Sequence, residues 1–429
     1  MAQPQHSSLK ELFEDKEKEI IDTCIQCGDC ISACPIFSIS SIKDQDPAEV
    51  AEKMFAVLED GTFSDEAYLK SFSCMLCGNC IDVCPQGLNP MIFNQAVRNQ
   101  LVSQGKEIPE GLGLLSPDKD PFLPRVLSGI QMKPSDARWL SEAPLNPEKK
   151  EVVFFMGCST LATPDKNFAL IDILERMGIE FAALIGGKLC CGVCNMLAGQ
   201  LKEADSLSQN LVKNVKAFSP EKLVVTCPAC YDQLKNIIPQ YISIDFEVQF
   251  ISQFLYENLD KLKFTTPLNK RVTLHDPCPL ARGFKDDFSL RKIIKALPGV
   301  KLAEMEHNQE ESLCCGSVAG LTYPEYAGKF AQDLMEEGKA TNADIMINTC
   351  PFCHISLCPL ADKYSFELTD LVALVNQAQG GYKYPDKLRE YWEYKDLEKI
   401  LEESKEYIEE SNLNLEMMKK LLPLIFRLS

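Results

Sequence analysis

"EVVFFMGC" (residues 151–158) decides the fold. An apolar run this short, closing on glycine and cysteine, reads as a strand buried on both faces, as in a parallel sheet. "RVTLHDPC" (271–278) repeats the design 120 positions on and again ends in cysteine. After the first run come a helical pattern, "NFALIDILERMG", a second strand, "IEFAALIGG", another helix, "LKEADSLSQNLVKNVKAF", and the strand "KLVVT". After the second come the helix "SLRKIIKALPG", the strand "VKLAEM", the helix "PEYAGKFAQDLMEEG" and the strand "DIMINTC". Each half is β-α-β-α-β, which implies parallel strands joined by right-handed crossovers. The expected architecture is multi-domain, α+β and α/β: a helical N-terminal unit, two duplicated βαβαβ units of Rossmann-like type, and a helical tail.

Cysteines punctuate this repeat. In the first half Cys158 ends a strand, Cys190 and Cys191 follow as an adjacent pair, and "CPAC" supplies Cys227 and Cys230. In the second half the set is Cys278, Cys314, Cys315, Cys350 and Cys353. The gaps are 31 and 35 residues in one half and 35 and 34 in the other. In parallel α/β units ligands gather beyond the carboxyl ends of strands, so all five thiols of a half are expected to meet there. Five thiolates exceed the four that a four-iron cubane needs. The extra one could bridge irons and distort a cluster. Rival readings are a mononuclear zinc in each half, a redox dithiol of the C-x-x-C type, and a structural cluster without catalysis.

Two further runs stand near the start. "CIQCGDCISACP" (24–35) and "CMLCGNCIDVCP" (74–85) agree at seven of twelve positions and share the spacing C-x2-C-x2-C-x3-C-P. Three close thiolates grip one cluster and the fourth, before proline, ligates the other. Cys24, Cys27, Cys30 and Cys84 are therefore assigned to one [4Fe-4S] cluster, and Cys74, Cys77, Cys80 and Cys34 to a second. Gly28 and Gly78 let the backbone approach the sulfurs. Structural zinc has no need of the fourth cysteine.

The remaining composition sets limits. Twenty cysteines fit either a disulfide-rich secreted scaffold or metal ligation. The charged start, "MAQPQHSSLKELFEDKEKEI", has no apolar core and no stretch of ~18 apolar residues occurs, so neither signal peptide nor membrane span is expected. A cytoplasmic chain keeps thiols reduced, which favours metal. With 44 basic and 62 acidic residues the net charge is −18, so nucleic acid is not an expected partner. No G-x-G-x-x-G stands between a strand and a helix, so flavin or nicotinamide belongs to another chain. The expected units are 1–130 (two-cluster ferredoxin type), a Pro-rich linker 131–150, 151–262, 263–378, and a tail 379–429 that docks on a partner or packs back.

The N-terminal runs resemble the α-helical ferredoxin domains of dehydrogenases of the succinate dehydrogenase kind. The later cysteines resemble the "CCG" domains of the heterodisulfide reductase family, with the spacing C-x31–39-CC-x35–36-C-x2-C; the second copy is one residue short in one gap. The whole order, over about residues 15–375, is similar to the D-type chain of that family, a fusion of its C and B types. Iron–sulfur subunits of glycolate and lactate oxidases, of thiol:fumarate reductase and of benzoyl-CoA reductase complexes share the layout.

The resemblance implies two cubane and two non-cubane [4Fe-4S] clusters. It also implies reduction of a disulfide of the CoM-S-S-CoB type at the ten later cysteines, in a hetero-oligomeric complex. The donor would be a flavin-containing iron–sulfur subunit or a membrane cytochrome b subunit, through which any membrane contact would run. The alternative it carries is an electron-transfer subunit linking a flavin dehydrogenase to quinone or ferredoxin. One departure stands out: the family often has histidine after the first cysteine of the second copy, and this chain has Pro279. His275 and His354 are candidate replacements as proton donor, Arg282 and Lys188 are candidate anion-binding groups, and Cys194 and Cys358 are expected to be buried free thiols.

Overall fold

A computed structural model describes residues 4–117, 121–285 and 288–428. Residues 118–120 of the Pro-rich stretch lie outside the described residues, as do the first three and the last. Two four-stranded sheets carry the architecture. The first contains β1 (Val152–Phe155), β2 (Phe181–Leu184), β3 (Lys222–Val225) and β4 (Glu247–Phe250), in the order β2-β1-β3-β4. The second contains β5 (Lys270–Leu274), β6 (Val300–Leu302), β7 (Ile345–Asn348) and β8 (Glu367–Asp370), in the equivalent order β6-β5-β7-β8. Every pairing is parallel, with Val152 opposite Phe181 and Lys222, and Val272 opposite Leu302 and Ile345. All four residues of β1 are buried, as a strand covered on both faces requires.

The fourth strand of each sheet departs from the three expected. "EVQF" and "ELTD" are short and alternate polar with apolar residues, because each lies at an edge and pairs on one side only. Asp370 then caps the helix Leu371–Ala378 by accepting from Val372 N–H at 2.9 Å.

Between residues 9 and 129 the described residues form helices and turns. The longest helices are Leu9–Thr23, Pro47–Glu59 and Pro90–Ser103. Asp46 starts Pro47–Glu59, its carboxylate accepting from Ala48 N–H at 2.8 Å. The linker does not float free: Leu140 adds a parallel bridge to the β2 edge, its N–H donating to Ala183 O at 2.8 Å. The tail packs back rather than projecting. Leu388, Tyr391, Ile400, Met418, Leu422 and Phe426 are buried with Val126, Leu127 and Ile130 and with the core of the second unit, and Tyr391 Oη donates to Ile130 O at 2.7 Å. No described helix is long and apolar enough to cross a membrane.

Candidate metal centres

In the order β2-β1-β3-β4 the connections reverse between β1 and β3, which opens a crevice at the carboxyl ends of those strands. Cysteines fill it. Cys158 follows β1 after Gly157, whose φ is +90° and where an added Cβ would sit 3.4 Å from Cys230 Sγ. Cys227 follows β3 and precedes the short helix Pro228–Asp232, which carries Cys230. Cys190 and Cys191 lie in the turn after β2. The second sheet places Cys278 after β5, Cys314 and Cys315 in the turn that follows β6, and Cys350 and Cys353 around the start of the helix Pro351–Leu357.

The glycine after each pair has a physical reason. Gly192 and Gly316 have φ of +79° and +74°, and their N–H groups turn back to Cys190 Sγ at 3.4 Å and Cys314 Sγ at 3.3 Å. A Cβ would meet Ala204 O at 2.5 Å in one and Ala327 O at 2.8 Å in the other. Only glycine combines this backbone sign with so close a neighbouring helix.

Each half brings its five thiols into one buried row. Cys158 Sγ lies 3.3 Å from Cys190 Sγ; Cys190 also contacts Cys191, which contacts Cys230, which contacts Cys227. The second row runs Cys278, Cys314, Cys315, Cys353, Cys350, with Cys315 and Cys353 at 3.2 Å. Cys190 receives hydrogen bonds from Cys158 and Cys191 and is held well below the ordinary thiol range. Cys315 is lowered in the same way by Cys314 and Cys353. Cys278 is held down to about 7 by its bond from Cys314, with Arg282 adding to it. All twenty cysteines are free thiols.

The N-terminal runs interleave. Cys84 stands in the electrostatic neighbourhood of Cys24 and Cys30, whereas Cys34 stands in that of Cys77 and Cys80. Burial pushes Cys30 up to about 11 and Cys77 up to about 12. Gly28 takes φ +79°, with Ala48 N only 2.4 Å from where a Cβ would be. The four groups form a series. Cys27 is exposed at one end; Cys77 neighbours Cys278; Cys350 neighbours Cys227. Ile36, Met75, Cys77, Cys278 and Cys314 share one apolar cluster at the middle junction.

The donor sets suit iron–sulfur clusters. Thiolates are the ligands such clusters take. Two buried cations beside the N-terminal runs, Lys70 and Arg98, have no carboxylate partner among the described residues, so an anionic group there would complete them. A cavity of about 70 Å³ adjoins all five thiols of the second row. Its other walls include Met75, Leu112, Leu115, Leu321 and Phe352, and no charged side chain among the described residues.

The remaining candidates separate clearly. His275 is fully buried; its Nδ1 lies 3.4 Å from Ser312 Oγ, Nε2 has no ordinary hydrogen-bond partner, and a ring nitrogen lies within 4.8 Å of the Cys315 and Cys353 sulfurs. His354 is committed elsewhere, to Asp386 at 2.7 Å, Lys166 at 3.1 Å and Asn348 at 3.3 Å. Arg282 is not open to an anionic substrate. Its guanidinium donates to Cys77 O at 2.6 Å, Glu310 O at 2.9 Å and Ser312 O at 2.7 Å, tying the second N-terminal run to the loop before Cys314. Lys188 is exposed. Pro279 lines the cavity. Cys194 and Cys358 are buried outside the two rows. Lys70 and Arg98 escape sequence reading because each sits inside an ordinary helical pattern.

Residues 152–235 and 272–358 match the cysteine-rich domain family CCG, and residues 20–88 match a 4Fe-4S dicluster domain. The chain is 29% identical over 397 residues to the D chain of dihydromethanophenazine:CoB–CoM heterodisulfide reductase from Methanosarcina barkeri, covering 84% of this chain and 94% of that one. It is 29% identical over 362 residues to the B chain of fumarate reductase (CoM/CoB) from Methanothermobacter marburgensis, covering 80% of this chain and 68% of the relative. It is 26% identical over 242 residues to the EtfAB:quinone oxidoreductase of Syntrophomonas wolfei, covering 51% and 33%. The chain belongs to the iron–sulfur oxidoreductase proteins that set a 4Fe-4S dicluster domain before two CCG domains, the layout of the D-type chain of heterodisulfide reductases.

Proposed function

We propose that this chain is the iron–sulfur subunit of a heterodisulfide reductase-like complex. Electrons from a flavin-containing or cytochrome partner would enter near exposed Cys27 and leave at the CCG rows, where a disulfide is reduced. Cys24, Cys27, Cys30 and Cys84 would hold one cubane cluster, and Cys74, Cys77, Cys80 and Cys34 the other. Cys158, Cys190, Cys191, Cys227 and Cys230 would hold one non-cubane cluster, and Cys278, Cys314, Cys315, Cys350 and Cys353 its counterpart. When bound, these clusters supply one-electron transfer and iron to which sulfur can bind.

The chain's own residues do the rest. Arg282 fixes the distance between the second N-terminal run and the second row. Met75, Leu112, Leu115, Leu321 and Phe352 keep water from the thiols. His275 offers a ring nitrogen to the sulfurs of Cys315 and Cys353. The single observation that carries the reading is the serial neighbourhood of four cysteine groups, Cys77 in that of Cys278 and Cys350 in that of Cys227.

A second reading is a carrier that passes electrons from a flavin dehydrogenase to quinone or ferredoxin. The uncharged cavity favours it, since an anionic disulfide of the CoM-S-S-CoB type meets no basic side chain among the described residues there. Purified protein assayed with reduced viologen decides between them. Cleavage of a thiol heterodisulfide with iron near ~16 atoms per chain supports the first, four clusters of four irons being what the ligand sets would hold. Full iron without turnover leaves the carrier, and zinc in place of iron overturns both.

A further inference from the structure

We infer that Lys70, supported by Arg98, is the fixed counter-charge of the two N-terminal clusters and holds both of their reduction potentials up. The inference rests on the assignment of the eight N-terminal cysteines to clusters, and not on what the CCG rows act upon.

Lys70 lies on the helix Asp65–Phe72 with only 2% of its surface exposed. Its ammonium donates to Asn94 Oδ1 at 3.1 Å and forms no ion pair with any described carboxylate. Asn94 is itself anchored, its Nδ2 donating to Pro90 O at 2.7 Å. Arg98 stands one turn along the same helix as Asn94, 1% exposed, and donates to carbonyls: Ser71 O at 2.7 Å, Cys74 O at 3.2 Å and Leu197 O at 3.4 Å.

Two buried cations without a carboxylate partner are costly. Cys34, Cys74, Cys80 and Cys30 are the thiols in the electrostatic neighbourhood of Lys70. Those four cysteines span both proposed clusters. Lys70 therefore has ligands of both clusters in its neighbourhood, and their thiolates are the negative charge it meets there.

The physical consequence follows. Adding an electron makes a cluster more negative, and a fixed positive charge in a poorly screened interior favours that change. Removing the charge makes both clusters harder to reduce. Arg98 acts mainly on the second run, through its contact with Cys74.

The test uses full-length, iron-loaded protein in a potentiometric titration followed by electron paramagnetic resonance. Lys70→Met is expected to shift both N-terminal midpoint potentials to more negative values, by tenfold or more in the reduction equilibrium, ~59 mV for one electron. Lys70→Arg is expected to recover most of that shift. Should Lys70→Met lose iron, Asn94→Asp decides: it sets a carboxylate where the amide oxygen now accepts, neutralises the ammonium in place, and must shift both potentials the same way. Full iron content with unchanged N-terminal potentials in Lys70→Met or Asn94→Asp overturns the inference. Protein without iron would instead sink the cluster assignment itself.

Discussion

The two CCG rows are built on one plan and placed in different company. Five thiols run in the same order in each, and each adjacent pair is followed by a glycine in the same left-handed conformation. Three residues before the first cysteine, however, the first copy has buried Phe155 and the second has buried His275. The first row packs with Phe122, Leu161 and Leu207; the second packs with Met75 and Cys77 of the N-terminal unit. The scaffold therefore fixes how thiols are gathered, and the neighbours fix what each row can exchange with. On this view the second row is the junction and the first row is the terminus.

The largest expected effect comes from breaking each row in turn. Cys315→Ser removes the central thiol of the second row, and Cys191→Ser its counterpart in the first. Each is expected to cost about four irons per chain, one cluster. Their effects on electron flow should differ. With Cys315→Ser, the first row should no longer be reduced by electrons entering through the N-terminal runs, a loss of about 100-fold or more in rate. With Cys191→Ser, the second row should still be reduced. Rapid mixing with a reductant, followed by freeze-quench resonance spectra, distinguishes these. Equal loss in both variants would mean that the rows are fed in parallel.

A middle-sized effect is expected at the clamp. Arg282 donates to carbonyls of Cys77, Glu310 and Ser312. Hydrogen bonds from a charged donor contribute about 1.5–3 kcal/mol each, less where one end is open to water, as at Glu310. Arg282→Met should destabilise the junction by about 2–3 kcal/mol in denaturant unfolding, and slow transfer to the second row by about tenfold. Arg282→Lys should recover less than half, because one ammonium cannot span carbonyls on two loops. The iron content of the first row should be untouched, since Arg282 reaches none of its residues. A matching loss of iron there would show that the two rows are not separable.

Much of this is legible in residues alone, for identifiable reasons. The strand "EVVFFMGC" is apolar on both faces, so its burial and the cysteine at its end can be read directly. The five-and-five division follows from spacing because each row draws on three strand ends of one sheet. The edge strands "EVQF" and "ELTD" are not legible: four residues long, with polar residues among the apolar ones, they lack any pattern that separates them from loop. Arg282 misleads because sequence shows a cation beside a cysteine and not the three carbonyls that converge from two other segments. Lys70 is invisible for the converse reason. In "YLKSF" it reads as a solvent-facing lysine, and only the packing of Pro90–Ser103 over it makes it a buried charge.

The smallest predicted effect is the sharpest test of the contrast between the rows. His275→Phe gives the second row the residue that the first has at the equivalent position. The ring of Phe155 fits a fully buried site in the first sheet, so the exchange respects volume and leaves the fold intact. What is lost is the ring nitrogen facing the Cys315 and Cys353 sulfurs. Nε2, which has no ordinary hydrogen-bond partner, would donate to a ligand sulfur of a bound cluster, and such a bond stabilises the more negative, reduced state. At about 1 kcal/mol for one such bond, His275→Phe should lower the potential of the second row by roughly fivefold in its equilibrium. The first row and both N-terminal clusters should keep theirs. Its resonance spectrum should move toward that of the first row, while iron content stays complete. If the two spectra remain as different as before, the asymmetry lies in the surroundings that Met75, Cys77 and Arg282 impose, and His275 is only a well-packed core side chain.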